Sequence, residues 1–585
     1  MRVIGLARGE IDPAHAANRS IADVELAPRN ARGKVEYAAD LFILRPADAS
    51  KGNGRILYEV NNRGRKLLFP NLCEGTVGSN DPRSLADLGN ALPLQLGFTV
   101  VWSGWDPDAP RGNAGMALTV PAAALNGAPI VQVIRDEFVS GTRLGTLDRF
   151  RLSYPAASLD QGAAQLSVRR YREAPPRMLP TSAWAFIDAR TVTLLPTGTL
   201  PEPGAIYELR YPATEPKVQG LGFAATRDVI SHLRYGEAAR ATTGRRIDHA
   251  LAIGFSQGAR YLRHHIGAGF NRDEAGRRVF DGVLAHTAGV GRIFFNARFG
   301  QPFRTNTRHE DHDFPENWFP FSAARMRDPL TGATGALFRG DDSDPLLLQT
   351  NTSTEYWQKG ASLLHTDPLG ERDVELPERA RAYLIAGTQH TGRAGIPGDP
   401  GPCAQPRNTH DPMPVLRALL VALDQWVTEG RLPPPSRVPR IADGTLVAPE
   451  AVAFPNLPGV AVPRAANAIA SPRAYRPLVP QVDSDGNELA GIRLPEIAVP
   501  RGTRTGWNLY KAPYPAGELA DRDGSFIAFA TAPDPADPRA SLAERYPSRE
   551  TYVAQVEAAA RVLADARLLL PEDAARYVAR ACAVG

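Results

Sequence analysis

Gly254-Phe255-Ser256-Gln257-Gly258 places a serine between two glycines, at the junction of an apolar run and a segment with helical spacing. Upstream, Asp248-His249-Ala250-Leu251-Ala252-Ile253 reads as a short buried strand. Downstream, Ala259, Leu262, His265 and Ile266 recur at three- to four-residue intervals through residue 270. A serine on so tight a turn must adopt strained backbone angles, and the glycines let strand and helix approach with no side chain between them. The hydroxyl is pushed clear of the sheet edge. The first helical N–H, at Gln257, then points to where an oxyanion would form beside Ser256 Oγ. This arrangement suits nucleophilic attack on a carbonyl. With 52 glycines in 585 residues a chance match competes with that reading, and the strand before and helix after decide against it.

A serine hydroxyl is a poor nucleophile unless a base, usually histidine, takes its proton, and that histidine needs a carboxylate to hold it. Where the nucleophile sits on such an elbow, the order along the chain is Ser, acid, His. After the strand-like run 346–350 comes Asn351-Thr352-Ser353-Thr354-Glu355-Tyr356-Trp357, which makes Glu355 the first candidate acid and Asp367 the second. After the run 382–386 comes Gly387-Thr388-Gln389-His390-Thr391-Gly392. His390 is the first candidate base, and His410, beyond a Gly/Pro-rich loop, is the second. A second oxyanion donor is expected in the loop after an early strand, where Asn61-Asn62-Arg63-Gly64 stands; Asn62 and Arg63 are both candidates.

Two other patterns carry less. Gly220-Leu221-Gly222-Phe223-Ala224-Ala225 fits G-x-G-x-x-A, but Pro216 sits where the preceding strand should be and no acid-tipped strand follows, so dinucleotide binding is not expected. His309-Glu310-Asp311-His312-Asp313 has its histidines three apart rather than in H-E-x-x-H, and reads as a solvated or substrate-gating loop rather than a metal site. No metal and no organic cofactor is expected.

The elements that must position these residues follow from hydrophobic periodicity. Strand-like segments at 35–44, 55–60 and 97–105 open the chain as the N-terminal part of the core, residues 1–114. From 115 to 213, period-two segments separated by Pro, Gly and Asp (131–139, 165–171, 184–195, 205–211) argue for an antiparallel β-rich insertion. Residues 214–291 return to the core with the Ser256 elbow. Residues 292–343 are aromatic and turn-rich and are expected to form a cap. Residues 344–440 return to the core with the acid, the histidine and an amphipathic helix at 413–427. Pro433-Pro434-Pro435 marks a stiff exit, and 441–585 reads as a C-terminal extension with a hairpin near 483–487 and a final helix near 552–570. Strands alternating with helices imply a mostly parallel sheet covered on both faces, with its ligand at the carboxyl ends of the strands. An apolar acyl or alcohol pocket is expected from Phe255, Phe294, Phe295, Trp318, Phe319 and Trp357.

Composition narrows the partners. A net charge of +4 spread over 585 residues gives no footprint for nucleic acid. The three cysteines, Cys73, Cys403 and Cys582, lie too far apart for a C-x-x-C motif and permit at most one disulfide. No run approaches the ~18 apolar residues needed to span a membrane, and the first residues lack the apolar core of an export signal. The expectation is a cytoplasmic chain as it stands, or a periplasmic or secreted one had a leader been removed. Oligomeric state is left open.

The pentapeptide at 254–258, the order Ser256, Glu355, His390 and the segment at 351–357 resemble the α/β-hydrolase superfamily. More narrowly, Gly220-Leu221-Gly222-Phe223-Ala224-Ala225-Thr226-Arg227-Asp228, Ala386-Gly387-Thr388-Gln389-His390 and Leu478-Val479-Pro480-Gln481-Val482-Asp483 are similar to recurring segments of a bacterial group of large α/β-hydrolase-domain proteins, and the likeness runs over nearly the whole chain. The resemblance implies the α/β-hydrolase fold, esterase-like activity on a small-molecule ester, and a triad at Ser256, Glu355 and His390. Many such proteins carry an export signal, from which this chain departs. An acyltransferase or peptidase on the same triad, or a binding protein on a hydrolase scaffold, would share these motifs.

Overall fold

In the computed structural model, residues 1–140, 148–172, 174–304, 317–392, 398–467 and 475–583 are described. Eight strands order the main sheet: β1 (Arg2–Ile11), β2 (Val35–Leu44), β3 (Arg55–Val60), β4 (Thr99–Ser103), β5 (His249–Phe255), β6 (Gly282–His286), β7 (Leu346–Thr352) and β8 (Ala380–Ile385). Their spatial order is β1-β2-β4-β3-β5-β6-β7-β8, with the short strand Leu118–Thr119 added on β2. β4 through β8 run parallel, and β2 and β1 close one edge antiparallel. This is the mostly parallel sheet expected from the alternation of strands and helices.

Side-chain alternation explains why both faces need cover. Ile56, Tyr58 and Val60 of β3 and Ala250 and Ala252 of β5 point to one side, where helices α1 (Leu221–Tyr235) and α2 (Gln257–Gly267) pack. Leu57, Leu251 and Ile253 point to the other, toward α4 (Met413–Glu429). Neighbouring residues of one strand thus feed different cores, and such strands read as continuous apolar runs. Between β7 and β8 lies the short α3 (Ser353–Gln358). Helix α4 presents Leu416, Leu419, Leu420 and Leu423 at 3–4–7 spacing, all fully buried. Each contributes about 1.5–3 kcal/mol. It ends at Gly430, whose φ of 68° makes a left-handed cap.

Residues 132–213 hold two small antiparallel sheets around their own apolar cluster. One has the order Arg177–Met178, Gln165–Arg169, Ile206–Ala213, Gln132–Val139, and the other Trp184–Asp188, Thr191–Leu194, Arg149–Arg151. Beyond Pro433-Pro434-Pro435 the chain stays on the main body. Leu384 N–H donates to Arg437 O (2.9 Å), and Ile492 N–H donates to Leu384 O (2.7 Å), which satisfies the edge of β8. The expected single helix near 552–570 is two, α5 (Arg549–Asp565) and α6 (Pro571–Ala583), broken where Arg567 takes a φ of 59° and Pro571 opens the next helix. Val556, Leu563 and Tyr577 of this pair join the α4 core. All three cysteines are free thiols. Among the described residues no helix is long and apolar enough to cross a membrane, and no group of three or more His, Cys, Asp or Glu is placed to hold a metal ion. The run 309–313 lies outside the described residues.

Candidate active site

The elbow is built by steric necessity. Ser256 sits at φ 53° and ψ −107° between β5 and α2, a conformation that costs a non-glycine residue roughly 1–3 kcal/mol and survives only where its surroundings enforce it. A side chain at Gly254 would place its Cβ 2.4 Å from the carbonyl carbon of Gly258, and one at Gly258 would lie 2.5 Å from Val60 O. Both glycines are therefore required by the contact of helix with strand, and Gly258 also seats α2 against β3. The backbone holds the turn from both sides: Ser256 N–H donates to His286 O (2.8 Å), and Arg260 N–H donates to Ser256 O (3.0 Å).

Three side chains from three strand ends meet here. Ser256 Oγ lies 2.8 Å from His390 Nε2, and His390 Nδ1 lies 2.5 Å from Glu355 Oε1. Glu355 is the third residue of α3. Its other oxygen accepts from the N–H (2.9 Å) and hydroxyl (2.5 Å) of Thr352, so one carboxylate both caps its helix and faces the imidazole. Burial pushes the Glu355 carboxyl up, but the imidazole and the Thr352 donors outweigh it and hold the group below the usual carboxylate range. Burial also pulls His390 below the ordinary histidine value, against the opposing pull of Glu355. At neutral pH the pair thus stands as carboxylate and neutral imidazole, with Nε2 free to take a proton from Ser256.

The second candidates are occupied elsewhere. His410 Nδ1 contacts Gly387 O (3.1 Å) and its Nε2 faces Glu496 (3.4 Å), so it braces the loop that carries His390. Asp367 closes a turn by accepting from Glu371 N–H (2.7 Å) and Arg372 N–H (3.1 Å).

On the donor side, Gln257 N–H opens α2 and has no intrahelical acceptor. Residues 61–64 follow Val60, which pairs with Gly254. Their backbone donors are taken within the turn: Asn62 N–H by Arg65 O (2.8 Å), Arg63 N–H by Asn61 O (3.1 Å) and Gly64 N–H by the Asn61 side chain (2.7 Å). The Arg63 guanidinium binds Asp106 (2.6 Å) and Asp108 O (3.0 Å). Only the half-buried Asn62 carboxamide makes no bond among the described residues. Of the two expected candidates, Asn62 keeps an unbonded carboxamide among the described residues, while the Arg63 side chain anchors the loop.

The expected aromatic pocket divides. Phe294 and Trp318 stand edge to face at 5.1 Å, both half-buried, and Phe319 is half-buried against Phe321. Phe295 instead packs among Trp105, Phe223 and Tyr261. Phe255 is the last inward residue of β5, and Trp357 packs on Trp507. These three are core residues, all buried, and of the neighbours Phe294 and Phe295 it is Phe295 that turns inward.

Two contributors gave no sequence signal. The imidazole of His286 is buried near Glu355 and His390, bonds Thr350 Oγ1 (2.9 Å) through Nδ1, and is held neutral by burial with its pKa lowered to about 3. Glu488, reaching in from the hairpin at 483–487, accepts from Gly387 N–H (2.8 Å) and Ser353 Oγ (2.6 Å) and so ties the His390 loop to α3. Burial raises its carboxyl to about 7. Glu488→Ala leaves two buried donors unmatched, which costs about 1–3 kcal/mol each. We expect kcat to fall about tenfold or more, with Glu488→Gln, which keeps a carbonyl acceptor, restoring most of it. Equal turnover in wild type and Glu488→Ala would remove Glu488 from the account.

A family model described as an alpha/beta hydrolase domain matches residues 164–579, which take in Ser256, Glu355, His390, the whole of α5 and the first part of α6. No curated protein matches the chain. With the parallel sheet, the serine elbow between β5 and α2, and a family match over most of its length, the chain belongs to the α/β-hydrolase domain family.

Proposed function

We propose that this α/β-hydrolase is a serine esterase that cleaves carboxylic esters through Ser256, His390 and Glu355. The observation that carries the reading is the unbroken line from Ser256 Oγ to His390 to Glu355, at 2.8 and 2.5 Å, on a strained elbow. Ser256 Oγ attacks the ester carbonyl while His390 Nε2 takes its proton, giving a tetrahedral intermediate whose oxyanion faces the Gln257 N–H and the Asn62 carboxamide. Collapse breaks the bond to the alcohol oxygen, which receives the proton from His390, and leaves an acyl-serine. Water, deprotonated by the same imidazole, adds to the acyl carbonyl. The second collapse releases the carboxylic acid and returns the proton to Ser256. Throughout, Glu355 stays ionised and stabilises the imidazolium.

The test is hydrolysis of short p-nitrophenyl esters by the purified chain. Release of p-nitrophenolate well above that of Ser256→Ala supports the reading, and equal release contradicts it. Asn62→Ala should lower kcat about 100- to 1000-fold with KM changed little, since an oxyanion donor acts mainly in the transition state. Arg63→Gln, which loses only the loop anchor, should act mainly on thermal stability. A larger kcat loss for Arg63→Gln than for Asn62→Ala would reverse the assignment.

A further inference from the structure

A cleft of about 660 Å³ opens beside the loop after β3, walled by residues 107–111, residues 151–153, Arg190, Gly300, Pro302 and Phe303. It is tied directly to the elbow. The Gln257 side-chain amide, one residue from Ser256, donates to Pro302 O at 2.6 Å, and Pro302 and Phe303 line the cleft. Arg63 completes the link, with its guanidinium 5.3 Å over the Phe303 ring.

Four guanidiniums face this space, and they are not equivalent. Arg63 is committed to Asp106 (2.6 Å) and Arg111 to Asp40 (3.1 Å). The one carboxylate in the lining, Asp108, is matched by Lys217. Arg151 and Arg190 remain. Neither guanidinium makes a hydrogen bond or ion pair among the described residues. They are also neighbours by construction: Arg151 sits opposite Thr191 in the small three-stranded sheet, and Leu152 N–H donates to Arg190 O (2.8 Å). Two arginines from adjacent backbone positions line one concave site whose one lining carboxylate is already matched, and this leaves a net positive potential that a planar oxyanion would relieve through bidentate bonds.

We infer that this cleft receives an ionised carboxylate of the substrate, so that the preferred esters are those carrying a second, free carboxylate on the acyl or the alcohol side. The inference rests on the esterase reading and names its substrate class. Arg151 and Arg190 act on recognition and leave the chemistry at Ser256 unchanged.

Matched ester pairs test it. On the acyl side, mono-p-nitrophenyl glutarate is compared with p-nitrophenyl pentanoate; on the alcohol side, 4-carboxyphenyl butanoate is compared with phenyl butanoate. Wild type should favour the charged member of at least one pair by about tenfold in kcat/KM, a preference that shrinks as salt is raised. Arg151→Gln/Arg190→Gln should remove that preference, chiefly through KM, with turnover of the neutral ester within about twofold. A preference for the neutral member in both pairs, or a charge preference that the double variant keeps, overturns the inference. Ser256-dependent hydrolysis without charge preference overturns it while leaving the esterase reading intact. A measurement free of turnover guards against the converse: calorimetry of monomethyl glutarate on Ser256→Ala. Binding should be present with both arginines and lost in the Arg151→Gln/Arg190→Gln background. Equal binding in the two, or none in either, overturns the inference.

Discussion

Ser256→Ala is expected to lower kcat on p-nitrophenyl butanoate by at least about 10⁴-fold while leaving the fold intact. The loss is large because the variant removes the atom that forms the acyl bond, and neither the Gln257 N–H nor the His390 imidazole can replace it. The fold should tolerate the change, since the Ser256 side chain makes no contact the elbow depends on. The turn is held by backbone bonds to His286 O and from Arg260 N–H, and by the close approach of Gly254 and Gly258. Alanine also takes the φ of 53° about as readily as serine. Far-ultraviolet circular dichroism and thermal melting should match wild type, and the kinetic loss should appear in kcat. A Ser256→Ala chain with wild-type turnover would place the nucleophile elsewhere.

The second large effect separates the two histidines that the sequence ranks first and second as the base. His390→Ala should cost activity on a scale comparable to Ser256→Ala, because serine without its base and base without its serine are each nearly inert. His410→Ala should retain turnover within about tenfold and show its cost in stability, since His410 braces Gly387 O and Glu496 rather than Ser256. The pH profile carries the same assignment. Protonated His390 cannot accept the Ser256 proton, so kcat/KM falls on the acid side as pH drops through the His390 pKa. Burial holds that pKa below the ordinary histidine value, so activity should already be on its plateau at pH 7. An acid limb centred above pH 7, or one abolished by His410→Ala rather than by His390→Ala, would reassign the base.

Much of the scaffold is legible in the chain because strands buried on both faces read as short apolar runs, and the runs at 55–60, 248–253, 280–286, 346–350 and 382–386 all become parallel strands. The elbow is legible for a steric reason, since no residue but glycine fits at 254 or 258. So is Glu355: Thr352-Ser353-Thr354-Glu355 is a capping box that fixes where its carboxylate stands. What could not be read depends on long-range contact. β1 alternates small, charged and apolar residues, is half-exposed along its length, and is defined only by ten pairings with β2. The split of Phe294 from Phe295 depends on which way an irregular segment turns. Asn62 and Arg63 differ in whether the side chain finds a distant partner, and Arg63 finds Asp106, 43 residues away. Glu488 joins Gly387 across 101 residues, and nothing in the local pattern of a hairpin announces a carboxylate that will be buried against another loop.

The central claim, that Ser256 is a nucleophile activated by His390, is tested most directly by labelling the purified chain with a fluorophosphonate and locating the adduct by peptide mass spectrometry. The account predicts one adduct, on Ser256, absent from Ser256→Ala and slowed by about 10³-fold or more in His390→Ala. An unlabelled Ser256 in the folded wild-type chain, or equal labelling rates in wild type and His390→Ala, would contradict it.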